Sequence, residues 1–136
     1  MSKAKKRVLV VDDTPENLQF LVALLKDKYA VVAATSGQKA IEIAKNSKPD
    51  LILLDIIMPQ MDGYEVCRLL KSEPVTSSIP VVFVTSKNDV FDDTIGYSVG
   101  ASEYLTKPIE PDLLIATVEA YLRHIVTGKQ IGRAHV

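Results

Sequence analysis

Five short apolar runs alternate along this chain with five stretches of helical periodicity, and no repeat or low-complexity segment interrupts them. The runs fall at residues 7–11, 29–34, 51–54, 81–85 and 103–105. The first, third and fourth are nearly continuous in Val, Leu and Ile, as expected of strands covered on both faces. Between them, residues 15–26 carry Leu18, Leu21, Val22 and Leu25 at helical spacing. Thr14-Pro15-Glu16-Asn17 reads as an N-cap with proline at the first helical position. Ser36-Gly37-Gln38-Lys39 opens a second helix with Ala40, Ile41, Ile43 and Ala44, and residues 64–70 form a third. The fourth is expected from Asp89 to Val99, and the fifth over 111–126 with Leu113, Leu114, Val118, Tyr121, Leu122 and Ile125. Strict alternation with right-handed crossovers predicts an α/β fold: one doubly wound domain with a parallel sheet and helices on both faces.

A length of 136 residues suits one such domain, and the apolar content can fill its core without disulfide or metal staples. The domain is expected over residues 7–126. Residues 1–6 are a basic lead-in, and 127–136, with two glycines and no apolar period, are a disordered tail, the start of a linker or a remnant of cloning. A net charge of −1 leaves no electrostatic footprint for nucleic acid. The basic start has no interleaved aromatics and reads as a solvated approach to the first strand. No apolar run reaches membrane-spanning length and no signal peptide is visible, so the chain reads as cytoplasmic. Cys67, the single cysteine, falls on the apolar stripe of the third helix and reads as a packing residue. His124, near the end of the last helix, reads as a solvated cation facing the helix dipole, and His135 lies in the tail.

Chemistry concentrates where the runs end. Asp12 and Asp13 close the first, Asp55 the third and Thr85-Ser86 the fourth, while Lys107-Pro108 follows the fifth. The carboxyl ends of parallel strands share one edge, and ligands bind in the crevice there. Three carboxylates meeting at that edge must raise a pKa or hold a cation. Hard oxygen ligands with room for water favour Mg²⁺, with Mn²⁺ as a substitute. Asp55 with such a cation could accept a phosphoryl group, with Lys107 and the Thr85 hydroxyl on its remaining oxygens. An acid pair after a strand can equally cap the next helix, so the coincidence of all four strand ends carries the reading.

These residues resemble the receiver domain of bacterial two-component response regulators, over about residues 6–126. The matching pieces are Val10-Val11-Asp12-Asp13, Leu53-Leu54-Asp55-Ile56-Ile57-Met58-Pro59, Met61-Asp62-Gly63, Pro80-Val81-Val82-Phe83-Val84-Thr85-Ser86, Gly100-Ala101-Ser102-Glu103-Tyr104-Leu105 and Thr106-Lys107-Pro108. The resemblance implies a flavodoxin-like five-stranded sheet ordered 2-1-3-4-5. It implies that Asp55 is phosphorylated by a phosphohistidine on a sensor histidine kinase or phosphotransfer protein. Asp12, Asp13, Asp55 and the backbone carbonyl of Ile57 would hold Mg²⁺. Thr85 and Lys107 would bind the phosphoryl group, and Pro108 would follow a cis peptide that aims the lysine.

The resemblance also implies a switch. New bonds to Thr85 and Lys107 would draw the fourth strand-helix loop inward, and Tyr104 would rotate into the vacated space, altering a face of fourth helix, fifth strand and fifth helix that includes Tyr97, Tyr104 and Tyr121. That face would engage an output domain or partner, with homodimerisation as one form. Tyr104 can also be read as an amphipathic edge-strand residue. Ile57 and Lys87 would flank the path of the hydrolytic water and tune the phosphoryl lifetime, or Ile57 would merely pack on its loop. Such a domain catalyses its own phosphorylation and dephosphorylation and turns over no separate substrate. Two other classes are weighed against it. A metal-dependent phosphatase would place its nucleophile on the first strand with a second acid two residues on, and a phosphorylation-independent interaction module would have lost one of these positions. No output segment is recognisable after residue 126, so a stand-alone receiver or part of a larger protein is expected. The loop at 71–80 is similar to that of receivers attached to diguanylate cyclases or hybrid kinases.

Overall fold

A computed structural model describes residues 5–86 and 93–125. Five strands, β1 (Arg7–Val11), β2 (Ala30–Ala34), β3 (Leu51–Asp55), β4 (Val81–Ser86) and β5 (Glu103–Lys107), form one parallel sheet ordered β2-β1-β3-β4-β5. The helices between and after them are α1 (Pro15–Leu25), α2 (Gly37–Ser47), α3 (Gly63–Ser72), α4 (Asp93–Ser98) and α5 (Pro111–Ile125). The expected fold class and strand order are those observed. β3, β4 and β5 run one or two residues further than the apolar runs, because polar Asp55, Ser86 and Lys107 extend the ladders at the edge where ligands would sit. The first part of the expected fourth helix, the tail at 127–136 and the side chain of His124 lie outside the described residues.

The central strands are apolar on both faces because both are covered. Successive strand side chains point to opposite faces. Leu9, Val11, Ile52, Leu54, Val81 and Phe83 enter one core with α2 and α3, and Val8, Val10, Leu51, Leu53, Val82 and Val84 enter the other with α1 and α5. Cys67 belongs to the first core, is fully buried, and points its thiol at the Val99 carbonyl at 3.4 Å. Burial pushes that thiol up to about 11, so it stays protonated and acts as a packing residue.

Helix starts are set locally. Ser36 accepts a hydrogen bond from the Lys39 N–H, and Asp62 from the Glu65 N–H. Thr14 stands at the N-cap position with extended backbone and Pro15 follows it, but its hydroxyl makes no capping bond. The Thr14 carbonyl accepts from the backbone N–H groups of Asn17 and Leu18, and the Thr14 N–H donates back to Asp12. This turn ties the start of α1 to the end of β1 and aims Asp12 across the sheet edge.

Candidate functional site

The strand ends bring the expected residues together. Asp12 lies one residue beyond β1, and Asp55 ends β3, paired in register with Val84. Thr85 is the next residue of β4, opposite Thr106, and Lys107 ends β5 opposite Ser86. One oxygen from each of Asp12, Asp13 and Asp55 lies within 4.8 Å of the others, with Asp13 exposed and the other two buried. The Lys107 ammonium sits 2.9 Å from Asp12 Oδ2 and 3.8 Å from Asp55 Oδ1. The peptide joining Lys107 to Pro108 is cis.

The electrostatics follow from this crowding. Burial pushes the Asp55 carboxyl up to about 6 and the Asp12 charge adds to the rise; Lys107 offsets part of it, Asp13 raises it further, and a hydrogen bond from the Ile57 N–H opposes it. A carboxylate so raised is mostly ionised at neutral pH, but at a cost in free energy. It gains when a positive group arrives. Three carboxylates with hard oxygen donors and one open side, toward exposed Asp13, fit a small divalent cation better than a soft one.

The Thr85 hydroxyl answers a different need. Thr85 is 2% exposed, and its Oγ1 has no hydrogen-bond partner, alone among buried side-chain oxygens and nitrogens of the described residues. An unsatisfied buried hydroxyl costs about 1–3 kcal/mol. Alternation along β4 puts Thr85 on the face of Val81 and Phe83, where half-buried Tyr104 also packs. Asp55 and Lys107 share the opposite parity with Leu53 and Leu105. By this alternation Asp55 and Lys107 leave the sheet edge toward α1 and α5, and Thr85 and Tyr104 toward the other layer.

The turn after β3 is shaped by close approach. The Gly63 N–H donates to the Ile56 carbonyl at 2.7 Å, and a Cβ at Gly63 would stand 2.4 Å from the Asp55 carbonyl oxygen. Only glycine lets α3 start against the backbone at the end of β3. Ile57 is 55% exposed on this turn, and Gln60 closes it at φ 71°. Lys87 lies outside the described residues. Tyr97 is 48% exposed, and half-buried Tyr121 donates its hydroxyl to the Glu103 carboxylate at 2.8 Å.

Two site features had only a faint signal in the sequence. Asn17, which reads there as part of a helix start, points its carboxamide at Asp12, 3.3 Å from Oδ1 and 3.2 Å from Oδ2. An amide one turn into a helix that follows a strand-end acid was the available clue. Beside it a groove of about 240 Å³, with Phe20, Leu21, Pro108 and Ile109 in its walls, opens onto Asp12 and Lys107. Its walls come from α1 and the turn after β5, which are far apart in sequence.

A 2-1-3-4-5 sheet with acids, a hydroxyl and an ammonium at its carboxyl edge defines a flavodoxin-like domain with an acidic cluster that could hold a metal ion. Residues 8–119 match the response regulator receiver domain, and the chain belongs to that family, the switch module of phosphorelay signalling. The response regulator PleD of Caulobacter vibrioides is 45% identical over 118 residues, 86% of this chain and 26% of PleD, so the chain spans about a quarter of that relative. The receiver domain of a histidine kinase from Syntrophus aciditrophicus superposes with a TM-score of 0.82 at 32% identity, covering 95% of this chain and 98% of the other. The receiver domain of a Pseudomonas aeruginosa sensor histidine kinase, with a magnesium ion coordinated in its active-site cleft, superposes with a TM-score of 0.80 at 26% identity, covering 88% and 98%.

Proposed function

We propose that Asp55 accepts a phosphoryl group from the phosphohistidine of a sensor kinase or phosphotransfer protein, and that residues 7–126 form the receiver that reads this event. The observation that carries the proposal is the convergence of Asp12, Asp13 and Lys107 on Asp55, with a buried Thr85 hydroxyl without a partner on the residue after Val84, which pairs with Asp55. An oxygen of ionised Asp55 attacks phosphorus, the phosphorus–nitrogen bond breaks, and the imidazole leaves with its electron pair and takes up a proton. Mg²⁺, or Mn²⁺ in its place, would be held by Asp12, Asp13, Asp55 and the Ile57 carbonyl. It would supply positive charge to the phosphoryl oxygens during transfer. The magnesium site of the Pseudomonas relative supports this choice of ion.

The new group is also the trigger. Lys107 is held by Asp12 and lies 3.8 Å from Asp55, so a phosphoryl group on Asp55 competes for it across a short distance. Thr85 gains an acceptor it lacks, which rewards the movement of β4's end toward Asp55. Tyr104, on the same face, would follow into the space left behind. The α4-β5-α5 surface, carrying Tyr97 and Tyr121, would pass the change to an output domain, a partner or a second copy of the chain. The domain catalyses its own phosphorylation and hydrolysis without turning over another substrate. Ile57 and Lys87 would set the rate of hydrolysis. No described helix is long and apolar enough to cross a membrane, in keeping with a cytoplasmic location.

Incubation of the wild type and Asp55→Asn with Mg²⁺ and acetyl phosphate, followed by intact mass spectrometry, tests the proposal. A single adduct is expected on the wild type only, abolished by chelator. An adduct of equal yield on Asp55→Asn would place the acceptor elsewhere.

A further inference from the structure

Asp12 is almost wholly buried, at 1% exposed, and must keep one face of its carboxylate free if it is to bind a cation. A carboxylate offers about four lone-pair sites. Three donors share them: the Thr14 N–H at 2.9 Å from Oδ1, the Lys107 ammonium at 2.9 Å from Oδ2, and the Asn17 carboxamide at 3.3 and 3.2 Å from the two oxygens. The three are not equivalent. Thr14 belongs to the same turn as Asp12 and moves with it, and Lys107 lies between Asp12 and Asp55. Only Asn17 spans both oxygens, which fixes the plane of the carboxylate, and it does so from the first turn of α1, anchored by Pro15.

We propose that Asn17 is a positioning residue that orients Asp12 for the metal and keeps it oriented when Lys107 turns to the phosphoryl group. The inference rests on Asp12 being a metal ligand, as set out above. When Lys107 moves to Asp55, Asp12 loses its strongest donor, and without Asn17 its outer lone pairs would depend on one backbone N–H. An uncharged amide suits the task. A lysine at 17 would compete with the divalent cation, and an aspartate would add a fourth carboxylate to a site already crowded with three. Partners behind a metal ligand typically change affinity about 10–100-fold when removed.

The test is calorimetric titration of Mg²⁺, repeated with Mn²⁺, into the wild type, Asn17→Leu, Asn17→Ser and Asn17→Gln, with urea unfolding of each in metal-free buffer. The leucine has the same branched heavy-atom skeleton as the asparagine but cannot donate, the serine hydroxyl is too short to span both oxygens, and the glutamine keeps the amide. Asn17→Leu is expected to bind Mg²⁺ at least about ten-fold more weakly, Asn17→Ser likewise, and Asn17→Gln to recover most of the loss. In acetyl phosphate labelling, the Mg²⁺ concentration for half-maximal rate should rise while the plateau rate changes little. Mg²⁺ affinity within about two-fold of the wild type in a folded leucine or serine variant would overturn the inference, since the expected effect is ten-fold or more. Equal losses in the leucine and glutamine variants would also overturn it, by giving residue 17 a packing role. Failure of the wild type to bind either ion would instead remove the reading of Asp12 on which the inference stands.

Discussion

In the proposed function Asp55 is the residue on which the others act, and its acidity makes that role measurable. Burial holds it up to about 6, against an ordinary value of 3.8. Between about pH 4 and 6 the metal-free folded domain keeps a proton that the unfolded chain has released, so this group adds stability as pH falls through 6 and adds no more below 4. At pH 7 the ionised side chain is therefore a liability of up to roughly 3 kcal/mol. Asp55→Asn should be more stable than the wild type at pH 7 without metal, and the gap should close toward pH 4. Urea unfolding at both pH values decides it, and a variant less stable than the wild type at pH 7 would contradict the burial argument. Ile57 supplies a second expectation. Its exposed apolar side chain cannot hydrogen-bond a water beside Asp55, so the phosphoryl group should be lost slowly and Ile57→Asn should lose it faster. An unchanged rate of adduct decay would leave Ile57 as a packing residue of its turn.

At the scale of elements, the site depends on how closely α3 begins against β3. Gly63 has backbone of Asp55 and Ile56 where a Cβ would go, at 2.4 and 2.8 Å, so the strain of a larger residue cannot be taken up by a flexible side chain. Gly63→Ala should cost about 1–3 kcal/mol and should also slow phosphorylation, because the peptide that must move carries Asp55. Ser72→Ala at the far end of the same helix serves as the control, with both properties near wild type. A folded Gly63→Ala domain with unchanged stability would show that the turn relaxes more freely than this packing implies. The starts of α2 and α3 are legible from Ser36 and Asp62, whose side chains accept the expected N–H groups. The start of α1 is less so. Pro15 and Thr14 mark its place, but the polar group that matters there is Asp12, and the amide that reaches back to it from the helix is Asn17.

For the whole molecule, signalling is a matter of populations. Couplings of about 1–3 kcal/mol are typical between distant sites, comparable to the cost of an unsatisfied hydroxyl at Thr85. Under the proposed function, phosphorylation would need only to tilt a balance between two arrangements of β4, β5 and α4. Metal binding should be visible on the same scale, since a ligand that binds only the folded state at ten times its dissociation constant stabilises it by about 1.4 kcal/mol. Mg²⁺ should raise the unfolding midpoint of the wild type accordingly, and much less that of Asp13→Asn. Equal shifts in both proteins would mean that the ion binds elsewhere.

The sequence by itself determined the architecture. Apolar runs at 7–11, 51–54 and 81–85 can be satisfied only by strands buried on both faces, and strict alternation with helices leaves a parallel doubly wound sheet. It also placed Asp12, Asp55, Thr85 and Lys107 at strand ends, which in such a sheet is enough to bring them to one edge. What only the tertiary structure decided is how those groups share their partners: that Lys107 rests on Asp12 at 2.9 Å and only approaches Asp55, that Thr85 is left without a partner, and that Asn17 spans the Asp12 carboxylate. Periodicity fixes the direction in which a side chain leaves its own element. Which neighbour it meets depends on register and packing between segments up to 95 residues apart, and no local pattern carries that information.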